Sequence, residues 1–275
     1  MARLERLTIT GVVLVAGFAI AAIAAPVIPA HDPGAIDAAR RLEGPTQSHL
    51  LGTDNLGRDM LSRIMHGSRY SLGAVALSTV LITSIGVLVG TLAGYYGGRM
   101  DDVLMRIVDT LLAFPSLLLA LAIAGTIGPG LTSVIAGIVA VWWAGYARVV
   151  RGMVQSYRNA DFVMSARSLG AADGRIILRH VLPNVMPSVA ILATIEMGEL
   201  ILAVAGLGFL GLGAQSPTPE WGTMVSDARP FLMSAPQLMI YPGVAISAVV
   251  IGFNLIGDGL RDLLDPRLRA AIAKR

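Results

Sequence analysis

The chain contains no cysteine, which excludes disulfide frameworks, thiolate metal sites and cysteine nucleophiles. Charge is nearly as scarce: Asp, Glu, Lys and Arg together make up 14% of the 275 residues, and Lys274 is the only lysine. The net charge of +3 comes from arginines spread between apolar runs rather than gathered on one face, which argues against nucleic acid as a partner. Catalytic signatures are missing too. There is no G-x-S-x-G elbow, no H-E-x-x-H helix and no G-x-x-x-x-G-K-[ST] phosphate loop, so no enzyme is expected.

What the chain has is apolar length. Hydrophobic residues make up 55% of it and the mean hydropathy is +0.70, so lipid is the expected solvent. The ten-residue alternation of a membrane barrel is absent, and the expected fold is an all-α integral membrane protein. A span needs about 20 apolar residues, and six stretches are candidates: 7–28, 71–95, 107–127, 131–150, 185–210 and 241–256. The expected divisions are an N-terminal anchor helix over 1–30, an outer segment over 31–70, a transmembrane domain over 71–258 with a cytoplasmic loop at 151–184, and a tail over 259–275. The first stretch also fits a signal peptide, with Arg3 and Arg6 before it and Ala24 and Ala25 after it; its length favours an uncleaved anchor. Arginine marks the cytoplasmic side of short loops. Arg3 and Arg6, Arg99 and Arg106, the series from Arg148 to Arg179, and Arg261 to Arg275 all fall on one side if both termini are cytoplasmic. Arg40, Arg41, Arg58, Arg63 and Arg69 oppose this, but they lie in a long loop among acids.

Gly86, Gly90 and Gly94 recur every four residues and predict close helix packing, within the subunit or against another. The glycines from Gly206 to Gly213 predict a bend or re-entrant turn. Trp142, Trp143 and Tyr146 precede Arg148 and suit an aromatic anchor at the headgroups, with a gate as the alternative. His31, His49, His66 and His180 are scattered without helical pairing, so no metal ligand set is assigned.

The segment from Asp161 to Pro183 is too long and amphipathic for a connector, with a small-residue helix, a glycine turn at Gly170 and a second helix closed by Leu182 and Pro183. It resembles the EAA loop of ABC importer permeases: Glu-Ala-Ala, three residues, Gly, nine residues, Ile, one residue, Leu-Pro. Ser165 and Ala166 take the alanine positions, followed by Gly170 and Ala171, then Leu182 and Pro183, while Met164 replaces the glutamate and His180 the isoleucine. A second block, Leu51-Gly-Thr-Asp54 through Gly57-Arg58-Asp59 to Ser62-Arg63, is similar to the signature of the dipeptide, oligopeptide and nickel permeases, as are Glu220-Trp221-Gly222 and Phe253 to Asp262 with Asp265-Pro266.

The resemblance implies an importer subunit in a bacterial inner membrane. Its partners would be a homologous second permease, two cytoplasmic ATPase subunits and an external solute-binding protein. ATP and Mg would be bound by the ATPases, leaving no cofactor in this chain. Ser165, Ala166, Gly170, Ala171, Leu182 and Pro183 would couple to the ATPase. Asp54, Arg58, Asp59, Glu220 and Trp221 would dock the binding protein, or else fix their own loops. Glu196 and Glu199 lie three residues apart within the fifth span, where ionisable groups are costly and therefore informative. They either line the path of a cation or pair with arginine from the companion permease. Nickel permeases of the family similarly carry polar residues here, and Val204-Ala205-Gly206 and Pro236 to Met239 look closer to them, which leans the substrate to nickel rather than a short peptide. A self-standing carrier or channel would not need the EAA-like loop.

Overall fold

The computed structural model describes residues 2–28 and 31–264, without the side chains of residues 2–5 and 264. Residues 29 and 30 of the expected anchor, the Arg3 side chain, Asp265-Pro266 and the tail from 265 onward lie outside the described residues. Among the described residues there is no strand; the backbone is helical apart from loops.

Ten helices follow in order: α1 Ala2–Ala24, α2 Met60–Tyr96, α3 Gly98–Leu112, α4 Ser116–Ile127, α5 Leu131–Arg158, α6 Asp161–Ser168, α7 Asp173–Ile176, α8 Leu182–Phe209, α9 Trp221–Ala228 and α10 Gln237–Leu264. Among the described residues, five helical segments are long and apolar enough to cross a membrane, or six if α3 and α4 are taken together as one bent span.

The expected straight span at 107–127 is not found: α3 and α4 meet at 89°. Pro115 is the cause, since its ring removes a backbone donor and disfavours helix in the residue before it. The polar side chains of α3 explain its direction. Asp101 receives Arg151 of α5 with Nη2 to Oδ2 at 2.6 Å, and Asp109 pairs with Arg148, so α3 stays with the charged end of α5. With 12 residues, α4 spans only about 18 Å, well short of the hydrocarbon thickness.

The second helix begins at Met60, ahead of the apolar stretch expected from residue 71, so part of the expected loop at 31–70 is helical. Asp59 caps the helix, its Oδ2 accepting from Ser62 N at 2.7 Å. Gly86, Gly90 and Gly94 of α2 pack inside the subunit. A Cβ on Gly90 would stand 2.5 Å from the Ala147 carbonyl and 2.8 Å from Val150 Cβ, and one on Gly94 2.7 Å from the Arg151 carbonyl, so α5 approaches α2 at backbone distance. The first helix crosses α10 in the same way, with Gly11 against the Gly252 carbonyl.

Leu182 and Pro183 do not close a helix. A single π turn at Ile177–Val181 carries the chain into α8, and Leu182 N bonds the Ile177 carbonyl, so residues 173–209 run as one apolar segment. The wide turn accommodates the missing donor of the proline. Phe209 ends α8, and Gly211, at φ +89°, makes the expected reversal.

Candidate functional site

Three groups of sequence-selected residues come together in different places. The first lies among α2, α5 and α8. Glu196 is half-buried on α8 and Glu199 exposed; the Glu196 Oε2 atom is buried without a well-formed hydrogen bond. The Tyr146 hydroxyl of α5 lies beside it and next to the Thr83 hydroxyl of α2, the three meeting only in loose polar contacts, with no well-formed hydrogen bond among them. A buried polar atom left unpaired costs about 1–3 kcal/mol, and more surely so in a membrane domain. Tyr146 is therefore not a headgroup anchor: it is fully buried, and its Cβ occupies the space where Gly86 has none. Trp142 and Trp143 are half-buried, with Trp143 Nε1 on the Ala140 carbonyl at 3.0 Å. One carboxylate and two hydroxyls, with a second carboxylate nearby, offer hard oxygen donors to a cation.

The second group is the expected coupling element. Gly170 has φ +80°, with Ala171 N bonding the Ala166 carbonyl at 3.1 Å and Gly170 N the Arg167 carbonyl at 3.0 Å. This is a Schellman end for α6, and nothing stands within 4 Å of a Cβ built on Gly170, so glycine is needed here for backbone conformation alone. Ser165 and Pro183 are exposed, and Ala166, Ala171 and Leu182 half-buried. Phe162, Met164 and Leu169 point apolar surface outward, at 43%, 55% and 87% exposure. Met164, standing where the EAA pattern has glutamate, thus extends an apolar face. Tyr95, which the sequence did not single out, clamps the element: its hydroxyl donates to Asp173 Oδ1 at 2.6 Å and accepts from Arg167 Nη2 at 3.2 Å.

The third group is turned into the chain. Asp54, Arg58, Asp59, Glu220 and Trp221 are all buried, which corrects the expectation that their side chains present a docking face. Asp54 accepts from the backbone of Leu56 and Arg58 at 2.8 and 3.0 Å, and its Oδ2 meets Arg58 Nε at 2.7 Å and Arg63 Nε at 3.3 Å. Arg63 in turn reaches the Pro33 carbonyl at 3.2 Å. Glu220 caps α9 through Gly222 N and Thr223 N at 2.8 and 2.9 Å and accepts from Ser71 Oγ at 3.2 Å. Burial pushes its carboxyl up, against these donors, which hold it down. Trp221 Nε1 reaches the Ile64 carbonyl at 3.1 Å. The two signatures, far apart in the sequence, thus lock one another, the loop to α2 and α2 to α9.

With this geometry in view, the comparisons are informative. Residues 86–270 match the family described as binding-protein-dependent transport system inner membrane component. The chain is 45% identical over 268 residues to the dipeptide transport system permease protein DppC of Alkalihalophilus pseudofirmus, covering 97% of this chain and 88% of that one. It is equally 45% identical over 238 residues to the nickel transport system permease protein NikC of Escherichia coli K12, covering 86% of each. The glutathione transport system permease protein GsiD of Pectobacterium atrosepticum is 43% identical over 252 residues, 92% of this chain and 84% of that one. Among solved structures, an inward-facing MetNI methionine ABC transporter chain is similar in fold, with a TM-score of 0.58 at 20% identity over 75% of this chain and 98% of that one.

Proposed function

The chain belongs to the binding-protein-dependent transport system inner membrane components, as a non-catalytic, multi-pass permease subunit of an ATP-binding-cassette importer of the peptide and nickel kind, and from that premise we propose that it carries nickel, as ion or chelate, past Glu196 and Glu199. The observation that carries this reading is the buried Glu196 Oε2 atom beside the Tyr146 hydroxyl, with Thr83 next to that, a polar cluster held by no well-formed hydrogen bond. Such groups are costly in a membrane domain unless a passing cation engages them. Weak oxygen ligation suits a path, because tight binding would stop release.

Membership implies ATPase partners together with a partner permease or binding protein. In our reading these are two ATPase subunits, one homologous permease and one external solute-binding protein. ATP and Mg are then bound by the ATPases, and both termini of this chain lie in the cytoplasm of the bacterial inner membrane. The apolar face of α6, from Phe162 to Leu169, sits in a groove of one ATPase, and the Schellman turn at Gly170 passes nucleotide-driven closure to α8. The second reading is a dipeptide or oligopeptide permease, in which the same carboxylates attract a peptide's amino terminus; the DppC relative, matched over 97% of this chain, favours it.

Uptake of radioactive nickel and of a labelled dipeptide, in parent cells and in cells lacking only this gene, decides between them. Loss of nickel uptake alone is the expected result. Loss of dipeptide uptake alone establishes the second reading and makes Glu196 and Glu199 peptide-amine or structural residues.

A further inference from the structure

The loop between α1 and α2 brings together two histidines that the sequence keeps 18 positions apart. His31 and His49 stack with ring centroids 4.5 Å apart at 34°. One ligand atom from each, and one from Asp59, all lie within 4.8 Å of one another. We propose that His31, His49 and Asp59 form a divalent-cation site for a borderline transition metal, gated by Arg40.

The geometry is close to that of a bound state. His49 Nδ1 and Asp59 Oδ1 are 2.9 Å apart, and neighbouring ligands of an octahedral ion with bonds of about 2.1 Å stand about 3 Å apart. Asp59 is already oriented, because its Oδ2 is committed to Ser62 N at the start of α2, leaving Oδ1 as a single donor. His49 is held through its backbone: its N–H donates to Thr46 Oγ1 at 3.0 Å, and its carbonyl accepts from Thr46 N at 2.8 Å. Outer contacts of this kind orient metal ligands. His49 and Asp59 are buried and His31 half-buried, so an ion enters from the His31 side, where a small movement of that ring closes the triangle. Two imidazoles and one carboxylate select Ni, Zn, Co or Cu over Mg and Ca, and leave positions open for water.

Arg40 makes the site switchable. Its Nη1 lies 3.1 Å from His49 Nε2. In the ion-free chain the tautomer that satisfies both neighbours carries its proton on Nδ1, donated to Asp59, while Nε2 accepts from Arg40. An ion on Nδ1 displaces that proton; the neutral ring then holds its hydrogen on Nε2, facing the guanidinium donor to donor, and Arg40 must leave. Its side chain is 48% exposed, and its Nε lies 3.6 Å from Asp37 Oδ2, an alternative partner within reach. Ion binding and the Arg40–His49 bond therefore exclude one another; the hydrogen given up at Nδ1 is regained at Nε2, so the ring changes tautomer with no net release of a proton.

This proposal is independent of the transported substrate, and its test reads binding rather than uptake. Equilibrium dialysis of the full chain in detergent against Ni²⁺ and Zn²⁺ should find one ion that is lost in His31→Ala and kept in His66→Ala. That ion should also be kept in the double variant Glu196→Gln, Glu199→Gln. Arg40→Gln should tighten binding about tenfold, the scale on which outer-shell groups act, and a gain cannot come from misfolding. Absence of a stoichiometric ion in the parent, parent-like binding by His31→Ala, or loss of the ion in the double variant instead overturns the site.

Discussion

In the loop ahead of α2, Asp54 and Asp59 are buried with their oxygens engaged: Asp54 holds Arg58 and Arg63, and Asp59 holds Ser62 and His49. Among α2, α5 and α8, Glu196, Tyr146 and Thr83 keep polar atoms just as hidden with only loose polar contacts among them. Both arrangements take charge or polarity out of water. The first pairs charge with charge inside the chain, and through Arg63 and Pro33 it ties the loop to its own beginning. The second is stable only because the rest of the bundle tolerates it, which is what a site kept for a transient visitor requires.

The contrast is broken most severely at Asp54. Asp54→Ala leaves the Arg58 and Arg63 guanidinium groups, each 3% exposed, without their carboxylate, and should cost about 3–5 kcal/mol. Thermal unfolding of the purified chain should show the loss, and a near-parental midpoint would mean the network is dispensable. Gly170→Pro comes next: the ring cannot adopt φ +80° and removes the donor to the Arg167 carbonyl, a local cost of about 3 kcal/mol. Because the turn is exposed, the chain should still insert, while ATP hydrolysis in the assembled importer runs uncoupled from uptake; normal uptake would sink the coupling role of α6.

A smaller effect is expected where packing, not polarity, is at stake. Gly90→Ala places a methyl against the backbone of α5 and should destabilise by about 1–3 kcal/mol, read as a lower unfolding midpoint with uptake falling in proportion to folded protein. The smallest stability effect belongs to Glu196→Gln, which removes a carboxylate that no basic group and no well-formed hydrogen bond holds. Stability should move by less than about 1 kcal/mol, yet nickel uptake should fall at least about tenfold, equivalent to about 1.4 kcal/mol in the barrier. A destabilisation as large as that of Asp54→Ala would erase the distinction between scaffold and path.

Much of the fold was legible in advance because its signals are local. Apolar runs mark α1, α2, α5, α8 and α10, and the glycine spacing at Gly86, Gly90 and Gly94 marks a close helix crossing whose partner, α5, it could not name. The bend between α3 and α4 was missed although Pro115 stood in the run, since hydropathy averages over a residue that acts through one absent donor. The early start of α2 was signalled by Asp59 three residues before Ser62, a capping pattern obscured by the polar residues around it. The role of Leu182 and Pro183 was misread for a related reason: a proline usually stops a helix, and only a π turn lets this one pass.

By itself, then, the sequence determined what depends on composition and short spacing: an all-helical membrane chain, its family signatures and the glycine turn that ends α6. Tertiary structure alone decided which polar residues are satisfied. Glu196 meets Tyr146 and Thr83, His31 meets His49, and Tyr95 meets Asp173 only after helices and loops distant in the chain have packed. Hydropathy and capping act over a few residues along the backbone, whereas hydrogen bonding and ion pairing act over a few ångströms in space, and only folding converts one distance into the other.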